Sequence, residues 1–398
     1  MSAHILNDST DREALIKEVG TSDVLICSYG LLVQARTALS ERVWNILTFD
    51  EAQALKNSDT QRYQAASSLR AKGRVALSGT PIENRLSELW SLFSLLIPGL
   101  LGDKRPFRER FELPITNGGG EERRARESLK ALTHPFILRR LKEDTLSELP
   151  PKTEQVIKVR LSDGEAQLYE ALRRDALKEL DEAQAEGKAL SHVEVFARLT
   201  RLRLAACHLN LVRDHLHSSD ELKAHLERVE VSAKHKALKG LIAELIASGH
   251  RALIFSQFVK HLELLRGWLE DEGISYQYLD GATPAKSRAA RVEAFQAGEG
   301  ALFLISLRAG GVGLNLTGAD YVIHMDPWWN PAVEDQATDR VHRIGQARPV
   351  MVYRLIAEGT VEERILALHE HKRALADGLL EGSESVTPLN VSELLALL

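Results

Sequence analysis

The sequence predicts an α/β protein with parallel sheets, and three observations lead there. Short apolar runs rich in Val, Ile, Leu and Phe recur at 23–28, 46–49 and 74–78. A second set, at 252–256, 275–279, 301–305, 321–325 and 350–355, alternates with helical patterns near 260–271, 286–297 and 333–343. Between the two sets, from about Leu86 to His235, the texture turns to Leu, Ala, Arg and Glu with apolar spacings of three and four, which predicts helix. Continuous apolar strands joined by helices mean parallel sheets covered on both faces, because a parallel neighbour requires a crossover. The expected layout is an α/β unit over 1–100, helical insertions over 101–235, a second α/β unit over 236–375 and a tail over 376–398.

Individual elements have local causes. Asn117–Glu122 carries three consecutive glycines, a flexible turn. Pro150 and Pro151 cannot donate backbone hydrogen bonds and disfavour helix before them, so they mark a crossing between units. Thr360, three residues before Glu363, predicts a capped closing helix from Val361 to about Leu375.

Composition bounds the function. The 398 residues suffice for two to three cores, with 44% apolar and 27% charged residues, which excludes collagen-like and wholly disordered chains. Two cysteines, Cys27 and Cys207, make neither a disulfide framework nor a four-ligand zinc site on their own, which suits a reducing compartment and gives no indication of a structural metal. The start lacks a signal-peptide pattern and no run approaches a membrane span, so a cytoplasmic, nucleoid-associated protein is expected. A net charge of −5 argues weakly against nucleic acid, so any such contact requires a local basic groove.

The chemistry-bearing segments sit at strand ends. Ile46-Leu47-Thr48-Phe49 runs into Asp50-Glu51-Ala52-Gln53, placing two carboxylates where open α/β sheets bind ligands. Asp50 is suited to holding Mg²⁺ through water and Glu51 to polarising an attacking water; the alternative is two solvated acids. Ser78-Gly79-Thr80-Pro81 follows another strand and offers two hydroxyls to a phosphate or its metal, or is simply a strand-to-helix turn. Downstream, Gly310, Gly311 and Gly313 permit close approach of a phosphodiester backbone or form a tight structural loop.

The segment Gln336 to Gln346 is the most informative. On a helix, Arg340 and Arg343 share a face and form a cationic clamp suited to a γ-phosphate; otherwise they are two solvated arginines near Asp339. His342 between them is expected to pack or hydrogen-bond, and Trp328 and Trp329 to pack beneath the arginine helix in preference to stacking on bases.

Together and in order, these segments resemble the Swi/Snf-type ATPases, the DNA-translocating branch of the superfamily-two helicases. Motif II matches Asp50-Glu51-Ala52-Gln53, and motif III matches Ser78-Gly79-Thr80-Pro81 with Glu83-Asn84. Motif IV matches Ile254-Phe255-Ser256-Gln257-Phe258, followed by Leu279-Asp280-Gly281 with Thr283. Motif V matches Gly310 to Leu316, and motif VI ends in His342-Arg343-Ile344-Gly345-Gln346. Leu202-Arg203-Leu204 through His208 also resembles the family's insertion before its second lobe.

The resemblance implies two RecA-like parallel-sheet lobes, the first incomplete at its N-terminus, with helical insertions between them. It implies ATP and Mg²⁺ as cofactors and duplex DNA as partner. Its catalytic residues would be Asp50 (also the metal residue), Glu51, Arg340 and Arg343. Gln53, Gly313 and Gln336 would contact the nucleotide, and Ser78, Thr80, Ser256, Gln257, Ser306 and Asn315 the nucleic acid.

One departure bears on activity. A phosphate-binding loop needs Gly-Lys-Ser or Gly-Lys-Thr, and the one Gly-Lys pair, Gly187-Lys188, is followed by Ala189. Each charge-assisted hydrogen bond to phosphate contributes about 1.5–3 kcal/mol. Without them the chain alone is expected to bind ATP weakly and to be inactive unless a second polypeptide, or an upstream extension, supplies the loop. A non-catalytic DNA- or protein-binding remnant is the competing expectation. A different α/β nucleotide or phosphate enzyme, sharing only the Asp-Glu strand end, is the third.

Overall fold

The computed structural model describes residues 1–7, 11–79, 86–140, 142, 146, 148–185, 191–213, 232–310, 313–369, 395 and 397. Thr80 and its neighbours to Asn84, Gly311, Val312, the Gly187-Lys188 pair and most of the tail lie outside these residues. The chain divides into two compact units, Met1–Arg139 and Arg140–Arg373.

The first unit alternates strand and helix: β1 (Ala3–Ile5), α1 (Arg12–Glu18), β2 (Val24–Ile26), α2 (Tyr29–Gln34), α3 (Arg36–Glu41), β3 (Val43–Phe49), α4 (Gln61–Ser68) and β4 (Arg70–Ala76). Side-chain caps start three of these helices: Asp11 accepts from Ala14 N–H, Ser28 from Leu31 N–H and Thr60 from Tyr63 N–H. The strands form two parallel pairs, β1 with β2 and β3 with β4, the latter in register from Val43 opposite Arg70 to Phe49 opposite Ala76. Phe49, Ala52, Leu55, Leu92 and Leu95 share one core with the helices. Helices α5 (Leu86–Leu96), α6 (Lys104–Phe107), α7 (Leu113–Asn117) and α8 (Glu122–Thr133) build a second core around Leu89, Phe93, Phe107, Phe111 and Ile115. The glycine run is the turn between α7 and α8, with Gly118 and Gly119 at φ 71° and 95°.

The second unit contains β5 (Lys152–Val159), α9 (Asp163–Ala185), α10 (His192–Cys207), α11 (Ala233–Ala247), β6 (Ala252–Ser256), α12 (Val259–Asp271) and β7 (Tyr276–Leu279). It continues with α13 (Ala285–Gln296), β8 (Leu302–Ser306), α14 (Leu307–Gly310), β9 (Tyr321–His324), α15 (Pro331–Thr338), β10 (Val350–Ala357) and a helix, α16, over 361–369. Its six strands form one parallel sheet in the order β5-β10-β9-β6-β8-β7. Alternate residues explain its two-sided burial. Leu253, Phe255, Phe303 and Ile305 enter one core, whereas Ala252, Ile254, Leu302 and Leu304 enter another on the opposite face.

Three features differ from the sequence-based reading. Strand β5 was expected to be part of a helical region; it instead pairs with β10 over its full length and begins directly after Pro150-Pro151. The proline pair therefore opens an edge strand, where a missing N–H is tolerated. Helices α9 and α10 belong to the same compact unit as the six-stranded sheet, packing with Ala357, Val361 and Ile365. The helix carrying the arginine segment stops at Thr338, short of Arg340 and Arg343.

Its end has an identifiable cause. The Arg340 carbonyl accepts a hydrogen bond from Leu316 N–H at 3.0 Å, which takes it out of the helical ladder. The Gln346 side chain then bonds the carbonyls of Ala319 (2.8 Å) and Thr317 (3.2 Å), and Gly345 takes φ 100°. The segment is thus folded as turns against the loop before β9.

Candidate functional site: two strand-end constellations

In the first unit the site is built at the C-terminal end of β3. Leu77 N–H donates to Phe49 O at 2.8 Å and Ala52 N–H to Leu77 O at 2.9 Å, so the chain turns sharply as it leaves the strand. Glu51 sits in that turn at φ 48°, ψ 50°, and it is the non-glycine residue with positive φ among the described residues. Left-handed backbone at a side-chain-bearing residue costs on the order of 1 kcal/mol and is typical of functional turns. The Asp50 carboxylate steadies it by accepting from Glu51 N–H at 3.0 Å.

A hydrogen-bond chain then fixes the acidic side chain. Ser78 Oγ donates to Gln53 Oε1 at 2.9 Å, and Gln53 Nε2 donates to Glu51 Oε2 at 2.6 Å. The two segments read separately from sequence are therefore one hydrogen-bonded unit. Tyr29 Oη donates to Asp50 O at 2.8 Å, and burial, with the charges of Asp50, Cys27 and Glu51, pushes the Tyr29 phenol up to about 12. Tyr29 thus stays a neutral donor. Sequence reasoning missed it, because nothing local ties a tyrosine at the start of α2 to the end of β3.

In the second unit, motif IV and motif V residues meet at the same sheet edge. Ser256 and Ser306 are register partners at the ends of β6 and β8. Both are buried, at 2% and 4% exposure. Ser256 Oγ hydrogen-bonds the Asp326 carboxylate, which also accepts from Gln257 N–H at 3.2 Å. Gly310 is required by packing: a Cβ there would lie 2.7 Å from the Phe255 ring. Gly313 (φ 45°) and Asn315 are exposed, and Gln336 lies half-buried on α15.

The arginines do not form a symmetric pair. Arg340 is 8% exposed whereas Arg343 faces solvent, because both follow the end of α15. The helical clamp expected from their spacing is replaced by one inward and one outward guanidinium. His342 is, as read from sequence, a hydrogen-bonding residue: its ring Nε2 meets Pro150 O at 2.8 Å. Asp339 pairs with Lys142 at 2.6 Å, and Lys142 also donates to His342 O.

The two tryptophans pack. Arg203 on α10 lies over the Trp329 ring at 4.9 Å and the Trp328 ring at 6.0 Å, with Phe258 at 5.4 Å, and bonds Pro327 O. Burial pushes its guanidinium pKa down against the charges of Asp326, Cys207, Glu362 and Glu334, yet the aromatic faces and carbonyl give the cation partners.

Comparison of the sequence with known proteins points to one family. A family model described as the SNF2-related domain matches residues 3–211, and one described as the helicase conserved C-terminal domain matches 233–345. A putative ATP-dependent helicase/translocase of Bacillus subtilis is 38% identical over 377 residues, covering 94% of this chain and 40% of its own length. A human SWI/SNF-related, matrix-associated, actin-dependent regulator of chromatin (subfamily A member 1) is 35% identical over 375 residues, covering 93% and 35%. The SWI2/SNF2 ATPase core of Sulfolobus solfataricus, solved in complex with dsDNA, is 33% identical, with 100% of this chain and 80% of that one covered at a TM-score of 0.48. The chain spans about two-fifths of the length of the first of these curated relatives and about a third of the second. With the SNF2-related domain matched over more than half of its residues, the chain belongs to the Swi/Snf-type, helicase-like ATPase family.

Proposed function

We propose that these residues form part of an ATP-driven translocase on duplex DNA. The observation that carries the reading is the Ser78–Gln53–Glu51 hydrogen-bond chain, which holds a carboxylate at a strand end in a strained turn. Such a turn costs stability, and turns of this kind cluster at sites where the strain serves a function. A Mg²⁺-nucleotide, when bound, supplies the scissile phosphoryl bond and neutralises the charge that develops on it.

The donor set suits that group. Asp50 and Glu51 offer the hard oxygen ligands that Mg²⁺ takes through water. In this reading Asp50 holds the hydrated ion, and Glu51 orients water and holds its proton. Gln53 transmits the state of Glu51 to Ser78, Arg343 approaches phosphate from solvent, and Arg340 sets its segment in place. Gln336 and Gly313 line the nucleotide side. Ser78, Thr80, Asn315 and Gln257 belong to the DNA side, with Ser256 and Ser306 shaping the loops beneath. The protein would work wherever its DNA is, in a bacterium the nucleoid. No helix among the described residues is long and apolar enough to cross a membrane.

No Gly-Lys-Ser or Gly-Lys-Thr loop occurs in the sequence, so turnover is proposed to require one supplied by further polypeptide. The test is duplex-stimulated phosphate release by the chain combined with a loop-bearing lobe-one segment. Glu51→Gln is expected to lower the rate at least about 10²-fold, the usual contribution of a positioned base, with DNA affinity unchanged. Equal rates in the two proteins would favour the non-catalytic reading, in which salt-sensitive duplex binding is the whole activity.

A further inference from the structure

A group of side chains in the second unit takes no part in the proposed chemistry. Cys207 ends α10, His261 lies in the first turn of α12, and Asp326 follows β9. Their ligand atoms, a thiol sulfur, an imidazole nitrogen and a carboxylate oxygen, all lie within 4.8 Å of one another. Cys207 and His261 are fully buried and Asp326 is 4% exposed.

The second observation concerns His261. Both of its ring nitrogens are buried without a hydrogen-bond partner, although Nδ1 lies 3.9 Å from Asp326 Oδ2. An unpartnered buried polar atom costs about 1–3 kcal/mol, so two on one ring are unusual. His235 stacks on that ring at 5.3 Å and 11°, and its Nε2 is also buried without a partner. The neighbouring charges are otherwise committed. Lys234 is held by Glu362 at 2.6 Å and Met325 O at 2.7 Å, and Arg203 by its aromatic faces and Pro327 O.

We propose that Cys207, His261 and Asp326 form a structural site for a zinc-class divalent metal ion, with these three side chains as its protein donors. Thiolate, imidazole and carboxylate are the set such ions take, at about 2.3 Å for sulfur and about 2.0–2.2 Å for nitrogen and oxygen. Tetrahedral ligands at those lengths are about 3.3–3.6 Å apart, so closing the cluster takes a shortening of up to about 1.2–1.5 Å between atoms now within 4.8 Å of one another. Binding displaces to solvent the Cys207 thiol proton, now donated to Glu362 Oε1 at 3.7 Å, so that hydrogen bond is given up and no other covalent bond changes. The ion would tie α10 to the start of α12 and to the Asp326 loop. That carboxylate already holds Ser256 and Gln257, so the metal would lock the motif IV loop from beneath.

The test uses the whole chain, freed of metal and titrated with Co²⁺ and then Zn²⁺. One equivalent of Co²⁺ is expected to give thiolate-to-metal absorption that Zn²⁺ abolishes, present in Cys27→Ser and absent in Cys207→Ala, with Zn²⁺ affinity at least about 10²-fold weaker in the latter. Should Cys207→Ala not fold, X-ray absorption at the zinc edge of the unaltered protein decides: one sulfur at about 2.3 Å is expected. Failure to take up one equivalent, absorption that follows Cys27, or a sulfur-free zinc shell overturns the proposal.

Discussion

The two units carry similar alternations of apolar run and helix, yet they bury their strands differently. In the second, β6 and β8 are buried at every residue. In the first, β3 exposes Val43 at 60% and Ile46 at 66%, and β4 leads into an exposed Leu77. The strand pairs of the first unit cover one face with helices, whereas the six-stranded sheet has a core on each side. A continuous apolar run thus specifies a strand suited to two-sided burial but does not supply the covering layer. Burial, not pattern, decides how much of the hydrophobic free energy is realised.

The sharpest way to test this contrast is to break the buried ion pair of the second unit. Glu362→Ala leaves Lys234, wholly buried, with the Met325 carbonyl at 2.7 Å in place of a carboxylate. A loss of about 3–5 kcal/mol is expected, read by hydrogen exchange as faster exchange in β6, β8 and β9 with β3 and β4 unaffected. Equal loosening of both units would mean that they unfold as one.

Acidification should produce a smaller effect with the same bias. His324 is fully buried, and burial, then the nearby Arg354 charge, holds its pKa down at about 3. Neutral imidazole therefore favours the folded state above the ordinary pKa near 6.5, and this contribution is lost as pH falls from there toward about 3. Burial alone would raise Glu154, but Lys152 and Arg354 hold it at about 2, so its contribution fades between about 4.5 and 2. Thermal melts followed from pH 7 to 4 are expected to show the second unit losing stability first. A melt insensitive to pH over that range would contradict the assignment of His324 as a neutral core residue.

The smallest expected change is at the exposed face of the first unit. Ile46→Thr keeps a β-branched residue on β3 and removes an apolar group already in solvent, so stability should stay within about 0.5 kcal/mol while solubility rises. A loss above 2 kcal/mol would show that Ile46 is covered in solution, and light scattering would say whether by another copy.

Much of this was legible in the sequence where a signal is local. The five later strands lie within a residue or two of their apolar runs, since those inside the sheet are buried on both sides and the edge strand β7 still buries Leu279. Asp50 and Glu51 were legible from the strand that delivers them. Strand β5 was not, because only Val159 of its eight residues is buried and its pairing with β10 joins distant segments. The end of α15 was equally hidden: Val341 continues the helical spacing, but a hydrogen bond from Leu316 to Arg340 overrides it. Cys207, His261 and Asp326 come from three separate elements, so their proximity has no footprint in spacing.

That bond between Leu316 and Arg340, with the Gln346 amide grasping the Thr317 and Ala319 carbonyls, stitches residues 316–319 to the arginine turns. The residue after Asn315 is thereby fastened three residues upstream of Arg343, and the anchor at Gln346 lies three residues downstream of it, so the arginine turn is tethered on both sides.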